Sequence, residues 1–311
     1  MTGARQERGA GNAPAPLAVD TPPPFPTAAT VRDALVWATA WLGATANESP
    51  RIDAEVLLRH LLGWDRTQLF VRLNDPLPAE IGQQYQALIA RRVAGTPVAY
   101  LVGEREFMGL PFVVGPGVLV PRPETEDLVE WLVARIQAEP RWQGQAQIVD
   151  VGTGSGAIAL SLASLLPTAQ IIGVDLSAQA LGYARQNRAN LGLIERVGLV
   201  RSDLLGPIGA VDLIAANLPY LRLDQLHAGI AQEPAEALFA GDDGLDLYRA
   251  LLPQAAPLLR SPGLLVAEID PEQSAAMMAI CRAAFPHAAI AIHCDLAGLD
   301  RFVSVRQSGS T

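Results

Sequence analysis

Ile148-Val149-Asp150-Val151-Gly152-Thr153-Gly154-Ser155-Gly156 is an apolar run that breaks into alternating glycines. A strand that turns sharply into a helix needs glycine there, because the backbone must adopt angles that a Cβ disfavours and must lie close to whatever the turn holds. Working outward, apolar runs of strand length recur at 147–151, 170–174, 197–201, 211–216, 263–269, 289–293 and 301–305. Helical stretches are expected after the first two runs and on both sides of the fifth. This alternation predicts an α/β fold with a mostly parallel sheet covered on both faces, whose ligands sit beyond the carboxyl ends of the strands.

The chain before this region is organised differently. Residues 1–26 are rich in Pro, Ala and Gly and poor in large apolar side chains, so a disordered tail is expected. Residues 27–95 carry helical periods. Thr30 is a good N-cap for Val31, Leu35, Val36, Ala38 and Leu42; a second helix from about Arg51 carries Ala54, Leu57, Leu58, Leu61 and Leu62 and stops at Gly63. A short third covers 67–73, and a fourth after Pro78 carries Ile81, Tyr85, Leu88 and Ile89, which completes a small bundle. Over 96–121 the period becomes that of strands punctuated by glycine, which predicts a β-hairpin linker. The α/β domain then occupies 122–311, opening with a helix from Glu124 to Ala138.

Composition narrows the function. The 311 residues are 50% hydrophobic, enough for a full core, and the net charge is −9 with no lysine. A protein that lives on a phosphate backbone needs clustered cations, so a protein partner or a cationic ligand fits better and no direct nucleic-acid binding is expected. No apolar run approaches the roughly 18 residues of a membrane span, and the N-terminus lacks a basic segment followed by an apolar one; a cytoplasmic protein is expected. Cys281 and Cys294 are read as two buried free thiols. His60, His227, His287 and His293 are scattered without ligand spacing, so no metal is expected.

The glycine turn Gly152-Thr153-Gly154-Ser155-Gly156 suits a nucleotide-like cofactor but by itself does not separate NAD from S-adenosylmethionine, and a βα turn that holds nothing has the same sequence. Asp175, closing the second strand, can accept hydrogen bonds from two ribose hydroxyls, or can simply cap the next helix. At the end of the third strand Asp203 can accept from an adenine amine while Leu204 covers a ring face. Asn217-Leu218-Pro219-Tyr220 ends the fourth strand and discriminates among these chemistries. An amide nitrogen is a poor nucleophile because its lone pair is delocalised. The Asn217 side-chain oxygen and the Leu218 carbonyl can each take one N–H and aim that lone pair at an electrophilic methyl group, with Pro219 stiffening the turn and Tyr220 offering a flat face. The bland alternative is an Asx-turn with a core-facing tyrosine.

With these elements in place the chain resembles the peptide chain release factor glutamine methyltransferases from about residue 30 to its end. The resemblance is carried by Asp53-Ala54-Glu55, Arg91-Arg92, Gly95-Thr96-Pro97, Glu106-Phe107, Glu233-Pro234, Asp243-Gly244-Leu245 and Asp295-Leu296-Ala297-Gly298. Pro121-Arg122-Pro123-Glu124-Thr125-Glu126 is its most specific stretch. The resemblance implies a Rossmann-like class I methyltransferase domain that uses S-adenosylmethionine and releases S-adenosylhomocysteine. It further implies a helical domain that grips the release factor, and Phe107 together with the 121–126 segment bordering the cofactor; nothing in the sequence demands more than a monomer. The plain reading of that segment is a hinge in which Arg122 pairs with Glu124 and Thr125 begins a helix.

One departure stands out. The family usually has Asn-Pro-Pro-Tyr, and Leu218 replaces its first proline, a stiffness loss of roughly 0.4 to 1 kcal/mol. Ribosomal RNA adenine dimethyltransferases resemble this Asn-Leu-Pro-Tyr form, so an amino methyltransferase acting on adenine or guanine in nucleic acid is the alternative.

Overall fold

The computed structural model describes residues 23–308 apart from 46, 228 and 296. Residues 1–22 of the expected tail lie outside the described residues. Its last four do not behave as a tail: the Pro23 carbonyl accepts from Trp37 Nε1 at 2.9 Å, and Phe25 meets the Trp37 ring edge-on at 4.9 Å. The one large aromatic in a proline-rich stretch has found a core.

The chain divides between residues 98 and 99 into two compact units. The first holds α1 (Val31–Gly43), α2 (Pro50–Leu62), α3 (Arg66–Val71) and α4 (Ala79–Val93). Thr30 caps α1 through a capping box with Asp33, a contribution of about 1 kcal/mol. The buried face of α1 keeps Val31, Ala38 and Leu42 of the expected set but not Leu35 and Val36. Ala34, Trp37, Ala38 and Trp41 point inward at helical spacing, and Val36 is 65% exposed, because burying two indoles removes more apolar surface than burying valine. Asp53 on α2 accepts from Arg92 Nε on α4 at 2.7 Å and from Asn47 Nδ2 at 2.8 Å, with both ion-pair side chains largely covered. Arg92→Ala is expected to lower stability by about 2 kcal/mol in urea denaturation, because the carboxylate then stays covered without its cation.

The chain passes from the first unit to the second within a one-turn helix, α5 (Val98–Val102), where the sequence predicts strand periodicity; Pro97 starts the turn, and five residues are too few for composition to separate the two periods. The hairpin follows as β1 (Glu104–Phe107) and β2 (Leu110–Val113), then α6 (Glu124–Ala138). From there the elements are β3 (Gln147–Val151), α7 (Ala157–Leu165), β4 (Gln170–Asp175), α8 (Ala178–Asn190), β5 (Val197–Arg201), β6 (Val211–Ala216), α9 (Asp246–Leu258), β7 (Leu259–Glu268), α10 (Ser274–Ala284), β8 (Ala289–Cys294) and β9 (Asp300–Gln307). The sheet order is β5-β4-β3-β6-β7-β9-β8, parallel through β7 and antiparallel at β9 and β8. This is the Rossmann-like class I methyltransferase architecture.

Period-two alternation splits the core. Ile148, Leu213 and Ala215 face one layer with Leu128, Leu132 and Leu160, while Val149, Ile214 and Ala216 face the other with Leu251, Leu252 and Met277. Cys281 is buried in the second layer, but Cys294 is exposed at the edge strand, contrary to the expectation of two buried thiols. No helix among the described residues is long and apolar enough to cross a membrane.

Candidate active site

Register brings the expected residues together. Val151 pairs with Val174 on one side and Ala216 on the other, and Asp175 pairs with Arg201. The residues that follow each strand, Gly152, Asp175, Ser202 to Leu204 and Asn217, therefore leave the sheet side by side. They border a cavity of about 740 Å³ at the carboxyl ends of the parallel strands. Gly152, Gly154, Asp175, Asp203, Leu204, Asn217, Leu218 and Pro219 all line it.

Gly152 shows how close the fit is. Its φ is +73°, and a Cβ there would lie 2.8 Å from Leu218 Cδ2 and 3.5 Å from the Asn217 carbonyl oxygen, so the glycine turn and the tetrad are in direct contact. Leu218 in turn is buried where it lines the cavity. Asp175 spans the turn, one oxygen accepting from Gly154 N and the other from Ser177 N, both at 2.8 Å. Burial raises its pKa, partly countered by those two bonds. Leu204 sits at φ +49°, a left-handed conformation that costs a non-glycine residue about 1–2 kcal/mol, with its side chain against the cavity.

Four of the expected site residues, Thr153, Ser155, Gly156 and Tyr220, do not line the cavity. Thr153 and Ser155 are buried; Thr153 Oγ1 donates to Asp150 at 2.6 Å, and the Ser155 carbonyl accepts from Asn187 at 2.9 Å. Gly156 turns the chain into α7. Asp150 is fully enclosed, and burial pushes its pKa up to about 7. Tyr220 is not among the residues that line the cavity, and its hydroxyl donates to Glu268 Oε1 at 3.0 Å. Phe107 is a correction. It is 1% exposed and meets Phe112 edge-on at 6.1 Å in the core under the hairpin, where the whole ring is removed from water.

The 121–126 stretch also departs from its plain reading. Arg122 pairs with Glu233 at 2.6 Å, not with Glu124, and Glu233 also accepts from Val120 N at 3.0 Å. This buried carboxylate ties the 117–119 wall of the cavity to the 234–240 wall. Thr125 does begin the helix, as the second residue of α6, but it is buried there: its hydroxyl donates to Glu268 Oε2 at 2.7 Å while accepting from Asn217 Nδ2 at 3.0 Å. Glu268 ends β7 beside the tetrad, because Ala267 pairs with Ala216. Burial pushes its pKa up to about 7.

Sequence reasoning missed Glu268, Gln179, Phe239 and the 117–119 wall. Only Glu268 left a signal, an acid closing the apolar run Leu264-Leu265-Val266-Ala267.

Residues 33–103 match the PrmC N-terminal domain and residues 143–234 match a methyltransferase domain. A release factor glutamine methyltransferase of Moorella thermoacetica is 44% identical, covering 89% of this chain and 99% of its own length. The chain belongs to the release factor glutamine methyltransferase family. A second family member, from Deinococcus radiodurans, is 38% identical with 90% of this chain and 99% of its own length covered. Among solved structures, the hMettl16 catalytic domain in complex with the MAT2A 3'UTR hairpin 6 superposes with a TM-score of 0.52 at 17% identity, over 72% of this chain and 82% of its own, a likeness of fold alone.

Proposed function

We propose that this protein transfers a methyl group from S-adenosylmethionine to the side-chain amide nitrogen of the Gly-Gly-Gln glutamine in peptide chain release factors, leaving S-adenosylhomocysteine. The observation that carries the reading is the Asn217 carboxamide, held by its nitrogen at the rim of a nucleoside-sized cavity in a chain of this family.

The residues present fit the cofactor. Gly152 leaves room where a Cβ would meet the tetrad, and the cavity volume lies within the range of small-molecule sites. Asp175, Asp203, Glu236 and Asp246 line it against Arg201, an acidic excess that suits a cationic ligand. When bound, S-adenosylmethionine supplies an electrophilic methyl group on a sulfonium sulfur. In this reading Asp175 accepts from the ribose, Asp203 and Leu204 hold the adenine, and Asn217 Oδ1 with the Leu218 carbonyl accepts the two N–H groups of the glutamine. Catalysis is then largely alignment. After transfer the nitrogen releases one of its protons to solvent, so no general base is required of the chain. The helical unit is the natural grip for the release factor, and a cytoplasmic monomer suffices for the work.

The test is incubation with S-adenosylmethionine and a purified release factor, followed by mass mapping of the Gly-Gly-Gln peptide. A gain of one methyl group on its glutamine supports the reading. Methyl transfer to RNA or DNA alone would replace it with the nucleic-acid alternative, which the relatives' names and the net charge of −9 disfavour.

A further inference from the structure

We propose that Thr125 and Glu268 are positioning residues that fix which end of the Asn217 carboxamide faces the substrate. The inference rests on the function proposed above and concerns how the tetrad acquires its polarity. An asparagine side chain has two ends of nearly identical shape and opposite hydrogen-bonding character. Only the orientation that offers Oδ1 to the cavity can accept an amide N–H; the reverse would point a donor at a donor.

The hydrogen-bond chain forces the choice. An ionised carboxylate only accepts. Glu268 is therefore met by two donors, the Thr125 hydroxyl at 2.7 Å and the Tyr220 hydroxyl at 3.0 Å. Having given its single proton to Glu268, Thr125 Oγ1 has only lone pairs left for Asn217. It accepts from Nδ2 at 3.0 Å, which leaves Oδ1 as the end available at the cavity rim. The arrangement joins three elements far apart in sequence: α6 supplies Thr125, β7 supplies Glu268 and the turn after β6 supplies both Asn217 and Tyr220.

Protonation of Glu268 breaks the logic, since the carboxyl becomes a donor. If that proton goes to Thr125, the hydroxyl is freed to donate toward Asn217, and the carboxamide is favoured in the reversed orientation. The groups acting on Glu268 are Thr125 and Glu124 from α6, Tyr220 from the tetrad turn, Tyr248 from α9 and Arg301 from β9. Burial dominates and the pKa is pushed up to about 7. The ionised, competent form therefore accumulates as pH rises through that value.

The experiment measures kcat, the KM for a purified release factor and the pH profile of methyl transfer, alongside S-adenosylmethionine affinity, for the wild type, Thr125→Val, Thr125→Ser and Glu268→Gln. Thr125→Val should lower kcat by roughly 10- to 100-fold with cofactor affinity and KM nearly unchanged, and Thr125→Ser, which keeps the hydroxyl, should recover most of the rate. The wild-type kcat should rise with pH through about 7. Glu268→Gln should be slower and lack that limb, because its amide group cannot ionise. Retained cofactor affinity certifies that each variant is folded. A Thr125→Val enzyme with wild-type kcat, a Thr125→Ser enzyme as impaired as Thr125→Val, or a Glu268→Gln enzyme that keeps the limb would each overturn the inference while leaving the activity in place. A wild type that methylates no release factor would overturn the functional reading, and this inference with it.

Discussion

Asn217→Ala should cost roughly 10²- to 10³-fold in kcat while S-adenosylmethionine affinity changes by no more than about threefold. The asymmetry follows from the layout of the cavity. Asp175, Asp203, Leu204 and the glycine turn leave the ends of β3, β4 and β5, and none of them depends on the Asn217 side chain. In the proposed reading, what disappears is one of two acceptors that would hold a planar amide in line, and with it the direction of a delocalised lone pair. Thr125 Oγ1 also loses its donor, a loss of about 1 kcal/mol at a part-buried site. Asn217→Asp should be at least as damaging despite its similar shape. It would place a second carboxylate on the Thr125 hydroxyl, which has one proton and already gives it to Glu268. Single-turnover methyl transfer and cofactor titration on the same preparations check both expectations; equal losses in rate and in cofactor affinity would show that Asn217 belongs to the cofactor pocket alone.

Why the glycine turn and the tetrad were legible, and Glu268 was not, has a physical explanation. Apolar runs ending in Gly152 and in Asn217 are local patterns, and a parallel sheet places every such ending at one edge. Their neighbourhood therefore follows from topology before any side chain is located. The order of strands decides which endings touch, and β7 reaches β6 only through long-range pairing that no local period encodes. Glu233 and Arg122 are a similar case, since their motifs lie far apart in the chain and meet through the walls of the cavity. Thr125 sits at a helix start as its sequence context indicates, but its partners are not legible there for a different reason. A threonine near a helix start resembles a cap, and only the inward rotation of α6 turns its hydroxyl to a buried carboxylate. Phe107 and Tyr220 mark the remaining limit: aromatic residues near a site are drawn either to the core or to a polar anchor, and sequence spacing does not distinguish these from a cavity wall.

The same tetrad can be disturbed from a distance, and Gly244→Ala is the change expected to do it most severely. Gly244 has φ +74°, and a Cβ there would overlap both the Tyr220 carbonyl oxygen and Gln273 Nε2. Those two atoms are themselves joined. Gln273 Nε2 donates to the Tyr220 carbonyl at 2.7 Å and to the Asp243 carbonyl at 2.8 Å, so one buried amide clamps the end of the tetrad to the turn that carries Gly244. An added methyl group meets backbone on one side and a doubly bonded side chain on the other, and neither can move without giving up a buried hydrogen bond. Gly192→Ala provides the control, since φ is +70° there and nothing lies within 4 Å of the added carbon. That variant should lose about 1 kcal/mol from conformational strain alone. Gly244→Ala should lose about 3 kcal/mol or more, the excess coming from overlap, and methyl transfer should fall by roughly 10²-fold as Tyr220 and the residues before it shift. Urea denaturation of the two variants separates the terms, and matched stability losses would mean that the clamp yields freely and that the tetrad does not depend on it.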